Sequence, residues 1–355
     1  MAEYNSSNDV MELSEAVKKI SNNAQDVFVN KENIPKVAKI MMRHLLKNVK
    51  DFHAYNDRFV RPFAFLREFE DTKRANWLFV LHTLNFSLWH RRGSRQWKVN
   101  GEKGYFGLCN ALKRATEEET PIWDPNYYAK ITPDAFEDIF RSDDGETHIP
   151  RLKLRLMILH SIGKILLDKY QGTFLECIKS SDYDADKLMK LLSDEFSSYR
   201  DEIKYDGKRV RFLIKARSLV TDIWTYFNEK PEIKLNIKEL MSTTFIDYRI
   251  PQVLLQSKLL RYSDDLTKRF EINIEPLLHE SREEIEIRGC SLFVIQEICN
   301  ELQRLSQHYI EQEPILKDLN ISIVVDNILC ALLFVGTINK SLNAYPLHCI
   351  ETIYY

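Results

Sequence analysis

The sequence predicts a mainly α fold, a single helical domain with minor β-hairpins. Three observations carry that expectation. Apolar residues recur every three or four positions in most long segments, only two short hairpin signals occur, and no repeat, low-complexity tract or Gly/Ser linker divides the chain. A chain of 355 residues, 44% apolar and 29% charged, can bury a substantial core and is neither disordered nor fibrous in composition.

The elements follow in order. Residues 1–30 read as a polar, loosely ordered N-terminal segment, leaving 31–355 as the domain. Asn33-Ile34-Pro35 opens a helix running to about Val49, with Pro35 tolerated in the first turn and Val37, Ala38, Met41 and Leu45 on one face. Trp77 to Trp89 is densely apolar and reads as a buried helix. Asn100-Gly101 after Trp97-Lys98-Val99 signals a tight hairpin turn, and Asp206-Gly207 after Ile203 and Tyr205 gives the same signal. Further helices are expected at 104–117, 134–141, 150–170, 184–196, 208–228, 250–261, 286–309 and 322–339. In the 150–170 stretch Leu152, Leu156, Leu159, Ile162 and Leu166 form a core-facing stripe. Residues 228–237 read as a loop and not as a domain boundary.

Composition narrows the function. Lys plus Arg number 50 and Asp plus Glu 52, which argues against bulk phosphate neutralisation and direct nucleic-acid binding. A pocket for one phosphate needs only two or three basic residues and stays open. The six cysteines are widely spaced with no CxxC pair and no zinc-type histidine spacing, the pattern of free thiols in a reducing compartment. The first twenty residues have no apolar core of signal-peptide length, so a cytoplasmic location is expected. Ile321 to Ile338 approaches the roughly 20 residues that span a bilayer. Asp326 in its first third argues instead for a buried helix of a soluble core.

No Gly-rich phosphate loop, GxSxG elbow or HExxH motif is present, and the nine histidines are scattered. Two carboxylates stand out. Asp326 lies inside an apolar run, where an unpartnered ionised carboxylate is costly, so it must pair, be protonated, start the helix or line a ligand cavity. Asp247 lies in Thr244-Phe245-Ile246-Asp247-Tyr248-Arg249, where it forms either a local salt bridge with Arg249 or a functional acid.

The same segments carry a resemblance. Thr83-Leu84-Asn85-Phe86-Ser87-Leu88-Trp89, Gly163-Lys164-Ile165-Leu166-Leu167 and Ile246 to Leu254 (IDYRIPQVL) resemble blocks of the queuosine salvage family. So do Tyr262-Ser263-Asp264-Asp265-Leu266, Glu286 to Leu292 (EIRGCSL) and Ile353-Tyr354-Tyr355. They fall in family order over nearly the whole chain. The resemblance implies a helical fold distantly akin to DNA glycosylases. It also implies hydrolysis of the N-glycosidic bond of queuosine 5'-phosphate, releasing queuine for insertion into transfer RNA by a separate enzyme. Carried over by position, Asp247 is the catalytic carboxylate, Phe245 lines the base pocket, Asp326 grips the base and His53 contacts the substrate. Asn327 joins the substrate-binding set, and Lys208, after the Asp206-Gly207 turn, is a candidate for the phosphate, as are Arg209 and Lys215. No metal or organic cofactor is implied, and the partner is the small nucleotide alone, met by a monomer away from membranes.

The chain departs from the family pattern after Asp326. An aromatic residue, then Trp-Asp at the fourth and fifth places, is replaced by Asn327, Cys330 and Ala331. A second pocket carboxylate and two aromatic surfaces are thereby missing, which bears on affinity and specificity. The alternative to the hydrolase is therefore a catalytically weakened queuine- or nucleotide-binding protein of the same fold.

Overall fold

The computed structural model describes residues 10–48, 61–91, 93–227, 230–237, 248–272, 275–317 and 319–355. Val10–Met11 (β1), Leu13–Asn23 (α1) and Val27–Val29 (β2) open it. The start expected to be loosely ordered is thus folded from Val10 on, because Ala16, Val17 and Ile20 form a buried stripe among the polar residues. Ile34–Asn48 (α2) carries Pro35 in its first turn, as expected. Asp71–Leu84 (α3) is buried on every side from Arg74 onward, but it stops at Leu84 and not at Trp89. The carbonyls of Leu84 and Phe86 turn instead to the fully buried Arg155, and Ser87 takes a left-handed φ of 43°.

Lys98–Val99 (β3) and Glu102–Lys103 (β4) form the first hairpin, with Asn100 and Gly101 both at positive φ, as its tight turn requires. Gly104–Glu117 (α4), Pro125–Tyr128 (α5), Pro133–Ile139 (α6), Leu152–Lys169 (α7), Phe174–Ser180 (α8) and Ala185–Glu195 (α9) follow. Glu202–Tyr205 (β5) and Lys208–Arg211 (β6) form the second hairpin around Asp206-Gly207. The helix expected from 208 therefore begins only at Ile214, in Ile214–Phe227 (α10), because β6 is held between β5 and a parallel pairing with β1. Ile250–Gln256 (α11) is shorter than expected, since Leu260–Tyr262 (β7) pairs antiparallel with β2. Asp264–Ile272 (α12), Leu277–Leu278 (β8), Arg282–Ser306 (α13), Ile321–Ile338 (α14) and Ile350–Glu351 (β9) complete the chain, with β8 parallel to β9. Among the described residues no helix is long and apolar enough to cross a membrane.

The chain forms two compact units interleaved in sequence. One comprises Met1–Arg58, Asp201–Ile214 and Leu240–Glu351, the other Phe59–Arg200, Lys215–Glu239 and Thr352–Tyr355. In the first, α13 packs on α1 and α2, and a Cβ at Gly289 would lie 2.5 Å from Ile20 Cγ2, so only glycine permits this approach of α1. The Glu286 carboxylate accepts the backbone N–H groups of Gln25, Asp26 and Val27 at 3.1, 2.7 and 3.2 Å. Arg288, fully buried, donates to Glu284 at 3.1 Å and Asp201 at 2.6 Å and lies over the Phe212 ring. The block Glu286 to Leu292 is thus the hub of this unit.

His348 is buried near the same network. Burial pushes its imidazole down to about 4, with the Arg288 charge adding and Glu284 opposing. An unfolded histidine takes its proton near 6.5. Its contribution is therefore fully present above about pH 6.5 and is lost as pH falls through 4, a loss on the order of 3 kcal/mol. Urea unfolding free energies are expected to fall from pH 7 to pH 4, and to fall less steeply in His348→Gln. Identical slopes for the two proteins would contradict this.

In the second unit, α7 lies against α5, where a Cβ at Gly163 would meet Tyr128 and Ala129 at 2.8 Å. The expected stripe buries Leu159, Ile162 and Leu166, and Arg155 shares that side of the helix. The segment after α3 is tied to the chain end: Ser87 N–H donates to Tyr355 O at 3.0 Å, and Ser87 Oγ donates to Thr352 O at 2.7 Å. Nearby, the buried Lys215 ammonium donates to Ile353 O at 2.6 Å and Thr83 O at 3.3 Å, and lies over the Phe86 and Tyr199 rings.

Candidate active site

The site is built from α14 upward. Asn320 caps this helix by accepting the N–H groups of Ser322 and Ile323 at 3.1 and 3.3 Å. Asp326 is therefore not the helix start, one of the readings left open by its place in an apolar run. Ile321, Ile323, Val324, Val325, Ile328 and Leu329 are buried, whereas Asp326, Asn327 and Cys330 are half-buried. The helix expected to be buried throughout is so only in its first half, for Leu332, Phe334 and Val335 are 40, 46 and 55% exposed.

Helical geometry orders these residues. At about 100° per residue, Cys330, Leu333 and Thr337 fall within about 40° of Asp326, while Asn327 and Ala331 lie about 100° and 140° away. Thr337 Oγ donates to Leu333 O at 2.6 Å within the helix and accepts a hydrogen bond from Arg249 Nη2. The face carrying Asp326 is thus the face that receives the residue two positions after Asp247. Arg249 stands at the start of α11, whose first turn holds Pro251, and α11 packs against α14 and α13. Tyr248, between Asp247 and Arg249, is buried.

The other candidates are placed as follows. Asp247, Phe245 and His53 lie outside the described residues. Lys208 begins β6 at the exposed end of the β5–β6 hairpin, near Glu15, whose carboxyl is held below its usual value by Lys19 first and by Lys208 to a lesser extent. Arg209 stands 4.0 Å from Glu202, and the Lys215 ammonium is given to backbone carbonyls. Arg249, two residues after Asp247, is thus bonded to the face of α14 that carries Asp326, but eleven residues farther along the helix, while Asn327 lies off that face and Lys208 is carried by a different element.

Two features escaped sequence reasoning. Gln252 donates to Tyr345 O at 2.9 Å and Gln256 to Ser341 Oγ at 2.8 Å, so Arg249, Gln252 and Gln256, one helical face, bind the end of α14 and the turn Ser341–Ala344. The spacing of three and four was visible, but its partners were not. In the second unit His82 Nε2 meets Asp222 Oδ2 at 2.7 Å, joining residues 140 apart in the chain. Burial, with Asp222 adding, pushes the Cys109 thiol and the Tyr226 phenol up. Among the described residues no group of three or more His, Cys, Asp or Glu is placed to hold a metal ion.

Residues 66–355 match the family described as Queuosine salvage protein. The chain belongs to the queuosine salvage family. It is 34% identical over 352 residues to a Bos taurus protein named Queuosine 5'-phosphate N-glycosylase/hydrolase, a match covering 96% of this chain and 98% of that one. A Mus musculus protein of the same name is 33% identical over 350 residues with the same coverage. One from Sphaerobacter thermophilus is 34% identical over 229 residues, covering 63% of this chain and 68% of that protein. The resemblance read from the blocks is therefore borne out, as is the mainly helical fold. Several of the blocks that announce the salvage family build the frame: Gly163 and Gly289 allow close packing, Glu286 and Arg288 bind backbone and carboxylates, and Ser87 holds the chain end.

Proposed function

We propose that this protein hydrolyses the N-glycosidic bond of queuosine 5'-phosphate, releasing queuine for salvage into transfer RNA. What carries the reading is similarity to queuosine 5'-phosphate N-glycosylase/hydrolases over nearly the full length of both chains. It favours the hydrolase over a binding protein that has lost turnover.

The chemistry suits the residue types. Cleavage develops positive charge on the ribose, and the Asp247 carboxylate stabilises or attacks it while water supplies the oxygen that ends on C1′. Queuine is a deazaguanine with carbon where guanine has its protonatable ring nitrogen, so that route to a better leaving group is closed. More of the barrier then falls to the carboxylate and to groups on the six-membered ring. The Asp326 carboxylate, half-buried on α14, accepts two N–H bonds from a guanine-like edge or pairs with the cationic amine of the queuine side chain. His53, Phe245 and Asn327 complete the contacts to substrate, and Lys208 serves the phosphate. The protein works in the cytoplasm as a monomer on the free nucleotide, without binding nucleic acid directly. The six free cysteines and near-zero net charge agree with this setting.

Purified protein is expected to release free queuine from queuosine 5'-phosphate. It should act about ten- to a hundredfold more slowly on the nucleoside, the worth of one charge-assisted phosphate contact. No release from the nucleotide would refute the activity, and equal rates on both substrates would refute the phosphate site.

A further inference from the structure

We propose that the exposed face of α2 is a docking surface for an acidic amphipathic helix of a partner protein. Summed over the chain, 50 basic and 52 acidic residues nearly cancel. On α2 they do not, for Ile34–Asn48 carries Lys36, Lys39, Arg43 and Lys47 and no acidic residue. All four cations are exposed, and Ile40 among them is 59% exposed. At about 100° per residue, Ile40, Arg43 and Lys47 fall within about 40° of Lys36, and Lys39 lies about 60° away. Ile34, Ala38, Met41 and Leu45 are buried on the opposite side of the helix, which packs on α13. The packing that folds α2 therefore turns its cations outward as a row about 16 Å long, close to one per turn.

This row differs from the other exposed helices. On α1, α4 and α8 a lysine is matched by an acid one turn away: Lys19 by Glu15 at 3.0 Å, Lys113 by Glu117 at 3.5 Å, Lys179 by Glu176 at 2.6 Å. Among the described residues none of the four α2 cations stands in an ion pair, and Lys36 Nζ donates to Asn33 Oδ1 at 3.2 Å. Like charges one turn apart cost a helix stability, so a partner that supplies the acids gains what the chain leaves unmade.

The width of the row and its isoleucine select the occupant. The basic stripe is one helix wide, because α13 beside it carries Glu301, whose carboxyl is held below its usual value by Arg304 first and by Lys39 to a lesser extent. That acid repels a broad polyanion, a nucleic-acid strand or an anionic membrane, but tolerates a partner lying along α2. A phosphate backbone also makes no use of Ile40. A helix with one glutamate per turn pairs with the cations and covers Ile40 with an apolar residue of its own. Covering Ile40 adds affinity, while the charges set orientation and the rate of encounter.

The test uses the full chain and a labelled synthetic helix with one glutamate per turn and a leucine between them, followed by fluorescence anisotropy at about 0.15 M salt. A peptide of the same composition with shuffled spacing, a single-stranded oligonucleotide and phosphatidylserine vesicles are the alternatives. The patterned peptide is expected to bind at least about tenfold more tightly than the shuffled one. Reversing Lys36, Arg43 and Lys47 to Glu should abolish binding, and exchanging the same three for Gln should weaken it by about tenfold or more, with melting temperatures near that of the wild type. Ile40→Ser should weaken the peptide by about tenfold, the worth of one covered aliphatic side chain. No binding by about 0.1 mM patterned peptide, equal binding of the shuffled one, or unchanged binding in the Gln variant would each overturn the proposal. Tighter binding of the oligonucleotide or the vesicles than of the peptide would overturn it too, since the face would then serve another class of partner.

Discussion

Asp247→Asn is expected to lower turnover at least about a hundredfold, the scale seen when one electrostatic stabiliser is deleted, while the protein keeps its melting temperature. The substitution preserves shape and most hydrogen bonding and removes only the negative charge opposite the developing ribosyl cation. Substrate binding should survive, because on the proposed reading ground-state contacts come from His53, Phe245 and Asp326, and a charge that acts mainly in the transition state shows in kcat. The competing view makes Asp247 half of a local salt bridge with Arg249. It predicts the reverse, a lowered melting temperature with turnover per folded molecule intact. Measuring kcat and melting temperature on one preparation decides between them.

Arg288→Met is expected to destabilise the first unit by about 3–5 kcal/mol, the range for breaking one side of a buried ion pair. At roughly 2–4 °C per kcal/mol for a body of 150–250 residues, the melting temperature should fall by about 6–20 °C. The cause is not the lost packing of a long side chain. Glu284 and Asp201 are fully buried with Arg288 between them, so its removal leaves two carboxylates without their shared cation. Neutralising them should therefore rescue it: Arg288→Met combined with Glu284→Gln and Asp201→Asn should recover much of the loss in thermal and urea unfolding. A single variant within about 1 kcal/mol of wild type, or no recovery in the triple, would show that the network contributes little.

Wherever the information is local, the sequence determined the outcome by itself. Asn100-Gly101 and Asp206-Gly207 form hairpins because two adjacent residues tolerate positive φ there. The helices over 104–117, 152–169, 185–195 and 321–338 were legible because 3.6-residue periodicity is written within each segment. The family, too, was legible, since its blocks are runs of consecutive residues. Tertiary structure alone decided what depends on a partner far along the chain. The stretch 208–211 is a strand and not a helix because β1 and β5 flank it, and α3 ends at Leu84 where Arg155 takes the carbonyls that follow. No pattern marks Arg155 or Arg288 as buried cations: each has one partner nearby in sequence, Pro150 O and Glu284, but the Leu84 and Phe86 carbonyls and the Asp201 carboxylate that complete their burial lie about 70 to 90 residues away. The site divides in the same way. Asp326 was conspicuous as a charge in an apolar run, but that its face of α14 turns toward Arg249 follows from packing. A hydrogen bond between residues 88 apart leaves no periodic trace, for neither side chain constrains its own neighbours in sequence.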